Sequence, residues 1–211
     1  MDNVIIIGAR GFGREVLQYL EDINNISPSY NILGFLDDIT NEPPLNGYKI
    51  LGTVDKYKLP KSTLLFCAIG DPFYKEFIYN KYKKLGYSFL TIIHPICKIG
   101  RNVEIGEGSI ICPNAILTCN IHIGDMVAIN INSSIGHDVV INNFSTLSPQ
   151  SNLNGNVTIG NKVFIGSSTV VIPKISIVDN SYIGAGSVVV KNVLEEGVNV
   201  GAPCKKIKDK K

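Results

Sequence analysis

An aliphatic residue recurs at every sixth position through the second half of the chain. The recurrence is unbroken over sixteen positions, from Ile99 to Val189, and Ile93 extends it backwards by one step. Helices place apolar residues three and four positions apart, and half-buried strands place them two apart. A strict interval of six fits neither, and it predicts a solenoid in which each hexad supplies one short strand and one corner.

A second column of small or β-branched residues accompanies this ladder. It lies four residues after each aliphatic position, as at Val103, Ala115 and Val127. We expect these side chains to point inward near a tight corner. Glycine or asparagine often follows the aliphatic residue directly, and we interpret such residues as the ones that adopt the backbone angles of a turn. The pattern predicts a β-helix domain over residues 93–195, followed by a C-terminal tail over residues 196–211.

The first 92 residues alternate between strand and helix patterns instead. Aliphatic runs predict strands, and amphipathic stretches predict helices between them. The predicted order is a strand at 4–7, a helix at 14–23, a strand at 32–36, a turn at Glu42–Pro44, a strand at 64–69, a helix at 72–85 and a strand at 89–93. Such alternation is typical of a parallel α/β sheet, which binds ligands at the carboxyl ends of its strands. We therefore predict a small Rossmann-like domain over residues 1–92.

The loop after the first strand is rich in glycine, with the order Gly-x-x-Gly-x-Gly from Gly8 to Gly13. This order differs from the dinucleotide fingerprint, so a nicotinamide-dependent function is not indicated. A glycine-rich turn that opens a helix still exposes N–H groups to an anion. Arg10 could pair with a diphosphate, and Asp37 or Asp38 could accept hydrogen bonds from a ribose or base. Alternatively, the glycines only allow close packing and the acids form a solvated turn.

Composition and charge limit the expected binding partners and cellular location. The net charge is only +2 with both signs mixed, so nucleic acid is not indicated as a partner. Five cysteines without paired spacing predict free thiols in a reducing compartment and no metal site. Neither a signal peptide nor a membrane-spanning stretch is evident, so we expect a cytoplasmic protein that does not insert into membranes. The lysines at 205–211 are interpreted as a solvated chain end.

Among the three histidines, His137 has the neighbours that catalysis requires. His94 is interpreted as a structural turn residue and His122 as a solvent-facing one. His137 lies two residues after Ile135, which is an outward position, and Asp138 follows it directly. Strand neighbours face apart, so pairing of these two side chains predicts a turn at residues 136–138. An imidazole, with its ordinary pKa of about 6.5, suits proton transfer.

Several motifs occur together in one order over essentially the whole chain: Ile7–Glu15, Phe35–Asp38, Ala68–Asp71, Ile92–Pro95, Ile135–Asp138 and Val200–Pro203. Together they resemble the NeuD/PglD-type sugar O- and N-acetyltransferases of the hexapeptide-repeat acyltransferase superfamily. The resemblance implies a left-handed parallel β-helix and a homotrimer with active sites between adjacent β-helices. It also implies acetyl transfer from acetyl-CoA to a nucleotide-linked amino sugar, such as a 4-amino-4,6-dideoxyhexose, for bacterial surface glycans. O-acetylation of sialic acid or another sugar hydroxyl is the alternative.

The resemblance also implies roles for single residues. His137 matches the general base, Asp138 the acid that orients it, and Gly155 the donor to the thioester oxygen. The residues expected to bind the acceptor are Gly8, Arg10, Gly11, Phe12, Asp37, Asp38, Gly70, Asp71 and Asn130. The residues expected to bind acetyl-CoA are Gly155, Gly166, Ser167, Ala185, Gly186, Pro203 and Lys205.

The sequence departs from the family pattern on the acceptor side. Thr146 stands where members often have a histidine, and Arg10 and Phe12 stand where many have a small residue and a histidine. These departures leave the sugar and its nucleotide unassigned. No covalent acyl-enzyme is expected, because the cysteines do not accompany His137 in the motif. A β-helix that serves only as a scaffold is a further alternative, which the outward histidine disfavours.

Overall fold

The computed structural model describes residues 1–39 and 47–209, so the turn predicted at Glu42–Pro44 lies outside the described residues. The first part of the chain forms a five-stranded parallel sheet, which we call sheet A. Its strands are β1 Asp2–Ile7, β2 Tyr30–Leu36, β3 Ile50–Gly52, β4 Thr63–Cys67 and β5 Ser88–Phe89, in the order β3-β2-β1-β4-β5. Helices α1 Gly11–Ile26 and α2 Pro72–Lys84 connect strands of this sheet. The predicted small parallel α/β fold is confirmed.

The second part is a parallel β-helix whose very short strands form three sheets. Sheet B contains β6 Ile92–Ile93, β9 Ile110–Ile111, β12 Ala128–Ile129, β15 Thr146–Leu147, β18 Phe164–Ile165, β21 Tyr182–Ile183, β23 Val198–Val200 and β24 Lys205–Lys208. Sheet C contains β7 Lys98–Ile99, β10 Ile116–Leu117, β13 Ser134–Ile135, β16 Asn152–Leu153, β19 Val170–Val171 and β22 Val188–Val189. Sheet D contains β8 Val103–Ile105, β11 Ile121–Ile123, β14 Val140–Ile141, β17 Thr158–Ile159 and β20 Ser176–Ile177.

Coils stack in a register of 18 residues, with Leu117 opposite Ile135 and Ile135 opposite Leu153, until the last coil pairs Tyr182 with Val198. The ladder side chains from Ile111 to Val189 fill the interior, where they form one buried cluster. This stacking satisfies the backbone hydrogen bonds of each coil on its neighbours. The predicted β-helix of hexads is therefore confirmed.

The residues that make the turns are not the ones we expected. Backbone φ is positive three residues after every ladder position from Ile99 to Ile183, as at Asn120 (53°) and Asp138 (58°). The glycines directly after the ladder have no positive φ. They occur where the next coil comes close: a Cβ on Gly136 would lie 2.7 Å from backbone atoms of Asn154 and Gly155. The interpretation of those glycines as turn residues was wrong, because close approach of the coils selects them.

The ends of the β-helix also differ from prediction. The strand expected at 89–93 is two strands, since β5 joins sheet A and β6 pairs with β9 of sheet B. The tail does not run free, because β23 continues sheet B in parallel and β24 returns antiparallel to it. The side chains of Lys205–Lys208 are exposed, as predicted for a solvated chain end, but their backbone forms a strand.

The two parts pack against each other along sheet B. Ile92, Ile110 and Ala128 share a buried cluster with Val4 and Leu17 of the α/β part. Within the described ranges, no helix is long and apolar enough to cross a bilayer.

Candidate active site

His137 and Asp138 form the corner between β13 and β14, which we call the C–D corner because it joins sheets C and D. The positive φ of Asp138 turns the chain sharply enough for both side chains to face outward. His137 Nδ1 lies 2.7 Å from Asp138 Oδ2, and the two side chains are 58% and 46% exposed. The predicted outward position of His137 and the turn at 136–138 are both present.

The hydrogen bond between His137 and Asp138 determines which imidazole nitrogen is free. A carboxylate only accepts hydrogen bonds, so in the neutral ring Nδ1 carries the proton and Nε2 keeps its lone pair. The hydrogen bond from His137, followed by one from Asn120, holds the pKa of Asp138 below its usual range. Asp138 is therefore ionised at neutral pH and fixes an imidazole whose Nε2 can accept a proton.

Gly155 lies on the same corner, one coil further along. Asn156 N donates to His137 O over 2.9 Å, which fixes this register. A Cβ on Gly155 would lie only 2.5 Å from His137 Nε2 and 2.6 Å from Cε1, so the imidazole covers the bare Cα. The Gly155 N–H has no acceptor among residues 1–39 and 47–209. An unpaired N–H beside a proton-accepting nitrogen is the arrangement that a developing oxyanion requires.

Sequence analysis missed two asparagine side chains that form a row of hydrogen bonds ending at Asp138. Asn120 Nδ2 donates to Asp138 Oδ1 over 3.2 Å, and Asn102 Nδ2 donates to Asn120 Oδ1 over 3.0 Å. The three residues occupy the same hexad position in successive coils. The signal was available in the sequence as asparagines 18 and 36 residues before Asp138.

Cys119 lies on the same C–D corner as His137, one coil earlier. Asp138 N donates to Cys119 O, and strand register places Cys119 at the position of His137 one coil earlier. No hydrogen bond joins its thiol to the ring among the described residues. Burial raises the pKa of Cys67 to about 12 and also raises that of Cys112, so these two are poor nucleophiles.

Most residues expected to bind acetyl-CoA gather at a different corner, between sheets B and C, whereas Gly155 lies on the C–D corner with His137. On this B–C corner Gly186 N donates to Ser167 O, and Gly166 and Ala185 are their chain neighbours. The tail crosses the same place, since Val188 N donates to Gly201 O and Cys204 N to Val188 O. A Cβ on Gly186 would meet nothing within 4 Å, so a slender chain could approach the backbone there. These small residues fit the pantetheine arm of a coenzyme.

Asn130 also lies on the B–C corner, where its Oδ1 accepts the Ile131 N–H over 2.7 Å. It follows β12, whereas His137 follows β13, so a full strand of sheet C separates the two corners. One copy of the chain therefore does not bring Asn130 or Gly166 onto the corner that holds His137 and Gly155.

A cavity of about 650 Å³ lies at the carboxyl ends of the strands of sheet A. Most residues expected to bind the acceptor in this part line it: Gly8, Arg10, Phe12, Asp37, Asp38, Gly70 and Asp71. Gly11, the first residue of α1, does not line it. Gly8 has φ +100°, a conformation that glycine tolerates best.

The acidic residues of this cavity are engaged with the backbone. Asp37 is 8% exposed, and its two oxygens accept the Ala9 and Ile39 N–H groups, each over 2.8 Å. Asp38 Oδ1 accepts the Val54 N–H, and Asp71 Oδ1 accepts the Tyr74 N–H as the N-cap of α2. These acids shape the cavity in addition to any contact with a ligand.

Thr146 is buried instead of facing an acceptor. It is 5% exposed in β15, and its hydroxyl donates to Gly70 O over 3.0 Å. The other two histidines are paired elsewhere, His94 with Asp22 and His122 with Glu104, each over 3.1 Å. Within the described part of the chain, no group of three or more His, Cys, Asp or Glu side chains could hold a metal ion.

Comparison with known proteins identifies the family. Residues 3–82 match the model of the PglD N-terminal domain family. GDP-perosamine N-acetyltransferase from Escherichia coli O157:H7 is 31% identical over 121 residues, which are 56% of this chain and 55% of that protein. This chain thus spans about half the length of the curated relative that it matches.

Solved structures match over nearly the whole chain. WeeI from Acinetobacter baumannii AYE is 31% identical, with a TM-score of 0.86 over 96% of this chain and 98% of that one. A histidine-to-asparagine variant of perosamine N-acetyltransferase from Caulobacter crescentus, in complex with CoA and GDP-perosamine, is 26% identical, with a TM-score of 0.89 over 99% and 98%. These matched structures and this chain share a β-helix of hexads, the fold of the hexapeptide-repeat acyltransferases. The chain belongs to the PglD-type family of sugar acetyltransferases.

Proposed function

We propose that the protein transfers an acetyl group from acetyl-CoA to the amino group of a nucleotide-linked sugar, such as a 4-amino-4,6-dideoxyhexose used in bacterial surface glycans. The observation that carries this proposal is the outward His137–Asp138 pair beside the unpaired Gly155 N–H. The cavity of sheet A has the size and glycine-rich turn suited to the nucleotide. Relatives named as GDP-perosamine N-acetyltransferases support an amine as the acceptor.

His137 acts as general base in this proposal. The amine nitrogen attacks the thioester carbon, and His137 Nε2 accepts the proton that the nitrogen loses. The Gly155 N–H donates to the carbonyl oxygen while it carries negative charge; losing one such donor typically costs about 3–4 kcal/mol. The imidazolium, stabilised by Asp138, then returns the proton to the departing sulfur as the carbon–sulfur bond breaks. No enzyme-bound acyl group is needed.

A trimer would complete the site. The C–D corner holds His137, and the B–C corner holds Asn130 and the proposed acetyl-CoA residues. Sheet C lies between these corners. A threefold axis facing sheet C brings the C–D corner of each copy against the B–C corner of the next. We infer that the active site lies between two copies and that the protein is a homotrimer. The predicted cytoplasmic location stays a prediction.

The central test is substitution of the base. His137→Ala should lower kcat by about 10²–10⁴-fold, the usual contribution of a general base, and leave acetyl-CoA binding intact. The measurement is thiol release from acetyl-CoA with GDP-linked and other nucleotide-linked amino sugars and with free sialic acid. His122→Ala is the matched control, because His122 is also exposed and paired with a carboxylate.

Near-normal turnover by His137→Ala would contradict the assigned base. Release of thiol only with sialic acid or another sugar hydroxyl would replace N-acetylation by the O-acetylation alternative. Absence of release with every acceptor would overturn the proposed function itself.

A further inference from the structure

A buried lysine joins the two parts of the molecule. Lys75 belongs to α2 but is only 2% exposed, because its side chain enters the β-helix. Its Nζ donates to Met126 O over 2.8 Å, to Ser145 O over 3.1 Å and to Thr146 Oγ1 over 2.8 Å. No carboxylate of the described residues forms a salt bridge with it, although the charge of Asp71 lies near enough to favour the ammonium form. A buried ammonium group whose hydrogen bonds all go to neutral oxygens is unusual, because burying a charge is costly.

Counting hydrogens shows that the charged form suits this place. The carbonyl oxygens of Met126 and Ser145 only accept hydrogen bonds, and the Thr146 hydroxyl has given its hydrogen to Gly70 O. Nζ therefore faces three acceptors, and an ammonium group offers three donors. Burial lowers the pKa of Lys75 to about 7, and nearby Cys67 and Asp71 oppose this shift. The three acceptors match the three donors of the ammonium form.

The hydrogen bonds form a continuous connection that begins at the cavity. Gly70 lines the cavity of sheet A, and its carbonyl oxygen accepts from Thr146 in β15 of the β-helix. The Thr146 hydroxyl in turn accepts a hydrogen bond from Lys75. Lys75 also donates hydrogen bonds to two corner carbonyl oxygens of the β-helix. We call Gly70, Thr146 and Lys75 the buried link.

Other polar contacts of α2 with the β-helix are less buried, and one of them is the hydrogen bond from the Tyr79 hydroxyl to Asp125 Oδ2 over 3.1 Å. Lys83 pairs with Glu107 over 2.9 Å, and Glu76 pairs with Lys162 over 3.1 Å. In both pairs the side chains are 23–38% exposed. Partly exposed ion pairs contribute little and tolerate small movements, whereas a buried link with all its hydrogen bonds made admits essentially one geometry.

We propose that the buried link sets the position of the nucleotide cavity relative to the β-helix, so that Lys75 and Thr146 are positioning residues for the acceptor amine. This inference rests on the proposed function. The reacting atoms must meet within a few tenths of an ångström, and a shift of about 1 Å can cost about 10²-fold in rate. Loosening the link therefore lowers kcat while the cavity, which the α/β part lines alone, still binds the nucleotide.

The test compares variants at the link with one beside it. Lys75→Met removes the ammonium group at nearly constant volume, and Thr146→Val removes only the hydroxyl. Thr146→Ser keeps the hydroxyl, and Lys83→Met removes a partly exposed contact of the same helix. We expect kcat to fall at least 10-fold in Lys75→Met and about 3–10-fold in Thr146→Val, and to change less than twofold in the other two. Calorimetry with GDP should give dissociation constants within twofold of wild type, and the acetyl-CoA KM should stay unchanged.

The outcomes separate this inference from the proposed function. Equal kcat values for Thr146→Val, Thr146→Ser and Lys83→Met, all measured below their melting temperatures, would overturn the inference even if Lys75→Met failed to fold. A loss of GDP binding as large as the loss of kcat would also overturn it, because the link would then support the cavity and not its placement. A wild-type protein without transferase activity would refute the proposed function, and the inference with it.

Discussion

Both carboxylate oxygens of Asp138 accept hydrogen bonds, so the interactions at the C–D corner extend beyond the His137–Asp138 pair. One oxygen accepts from His137 and the other from Asn120, whose own oxygen is engaged by Asn102. A carboxylate fixed at both oxygens has little freedom to rotate. The imidazole that it orients is therefore held over Gly155.

The first prediction at this scale concerns Asn120. Asn120→Gly removes the amide and suits the positive φ of 53° at this position. Losing one hydrogen bond of about 1 kcal/mol should lower kcat about fivefold. Because the amide lowers the pKa of Asp138, its loss should raise that pKa, so that the ratio of variant to wild-type kcat falls further at acidic pH, where Asp138 becomes protonated.

Asn114→Gly is the matched control for Asn120→Gly. Asn114 also has positive φ, at 59°, but it lies on the B–C corner near the start of the β-helix. We expect its kcat and pH profile to match wild type. Identical profiles for the two variants would mean that Asn120 is only a turn residue.

At the scale of elements, α2 connects the cavity to the β-helix. Its first residues follow the cavity wall, its middle carries Lys75 into the β-helix, and Lys83 near its end pairs with Glu107. The helix begins with the Asp71 cap and Pro72, a combination that specifies a helix start. Asp71 was expected from resemblance to bind the acceptor, and the structure gives it this second role.

Two substitutions at Asp71 should test the cap. Asp71→Ala should lower the free energy of unfolding by about 1 kcal/mol, because the Tyr74 N–H loses its acceptor. Asp71→Asn should preserve stability, since asparagine caps as well as aspartate does. Denaturant unfolding measures both. Equal stability of the alanine variant and wild type would show that the cap contributes nothing.

At the scale of the whole molecule, the three faces of the β-helix differ in what covers them. Sheet B packs against the α/β part, and sheet D presents Glu104 and His122. The outward residues of sheet C beyond Lys98 are uncharged: Ile116, Ser134, Asn152, Val170 and Val188. This uncharged face lies between the C–D corner and the B–C corner, and it is suited to the interface of the proposed trimer.

A charge on this face should therefore separate the copies. Val170→Arg should convert a trimer into monomers and abolish transfer, because burying an unpaired charge in an interface is costly. Thr158→Arg is the control, since Thr158 also precedes a ladder residue but belongs to sheet D. Sedimentation velocity and the thiol-release assay measure the two effects. A trimeric, active Val170→Arg protein would place the interface elsewhere.

Much of this structure follows from local patterns in the sequence. The six-residue interval of Ile99 to Val189 determined the β-helix, because each hexad repeats one strand and one corner and the register cannot drift. The alternation of strands and helices determined sheet A, and the position of His137 after Ile135 determined its outward direction. These features depend on neighbours in sequence, and so a sequence reports them.

Only the tertiary structure decided which distant groups meet. It engaged Asp37 and Asp71 with backbone N–H groups, buried Thr146 against Gly70, and assigned His137 and Asn130 to different corners. It also showed that coil spacing, and not turn geometry, selects Gly136. Such contacts arise where separate elements pack, and their geometry depends on how the α/β part is seated on the β-helix. No local pattern of residues carries that information.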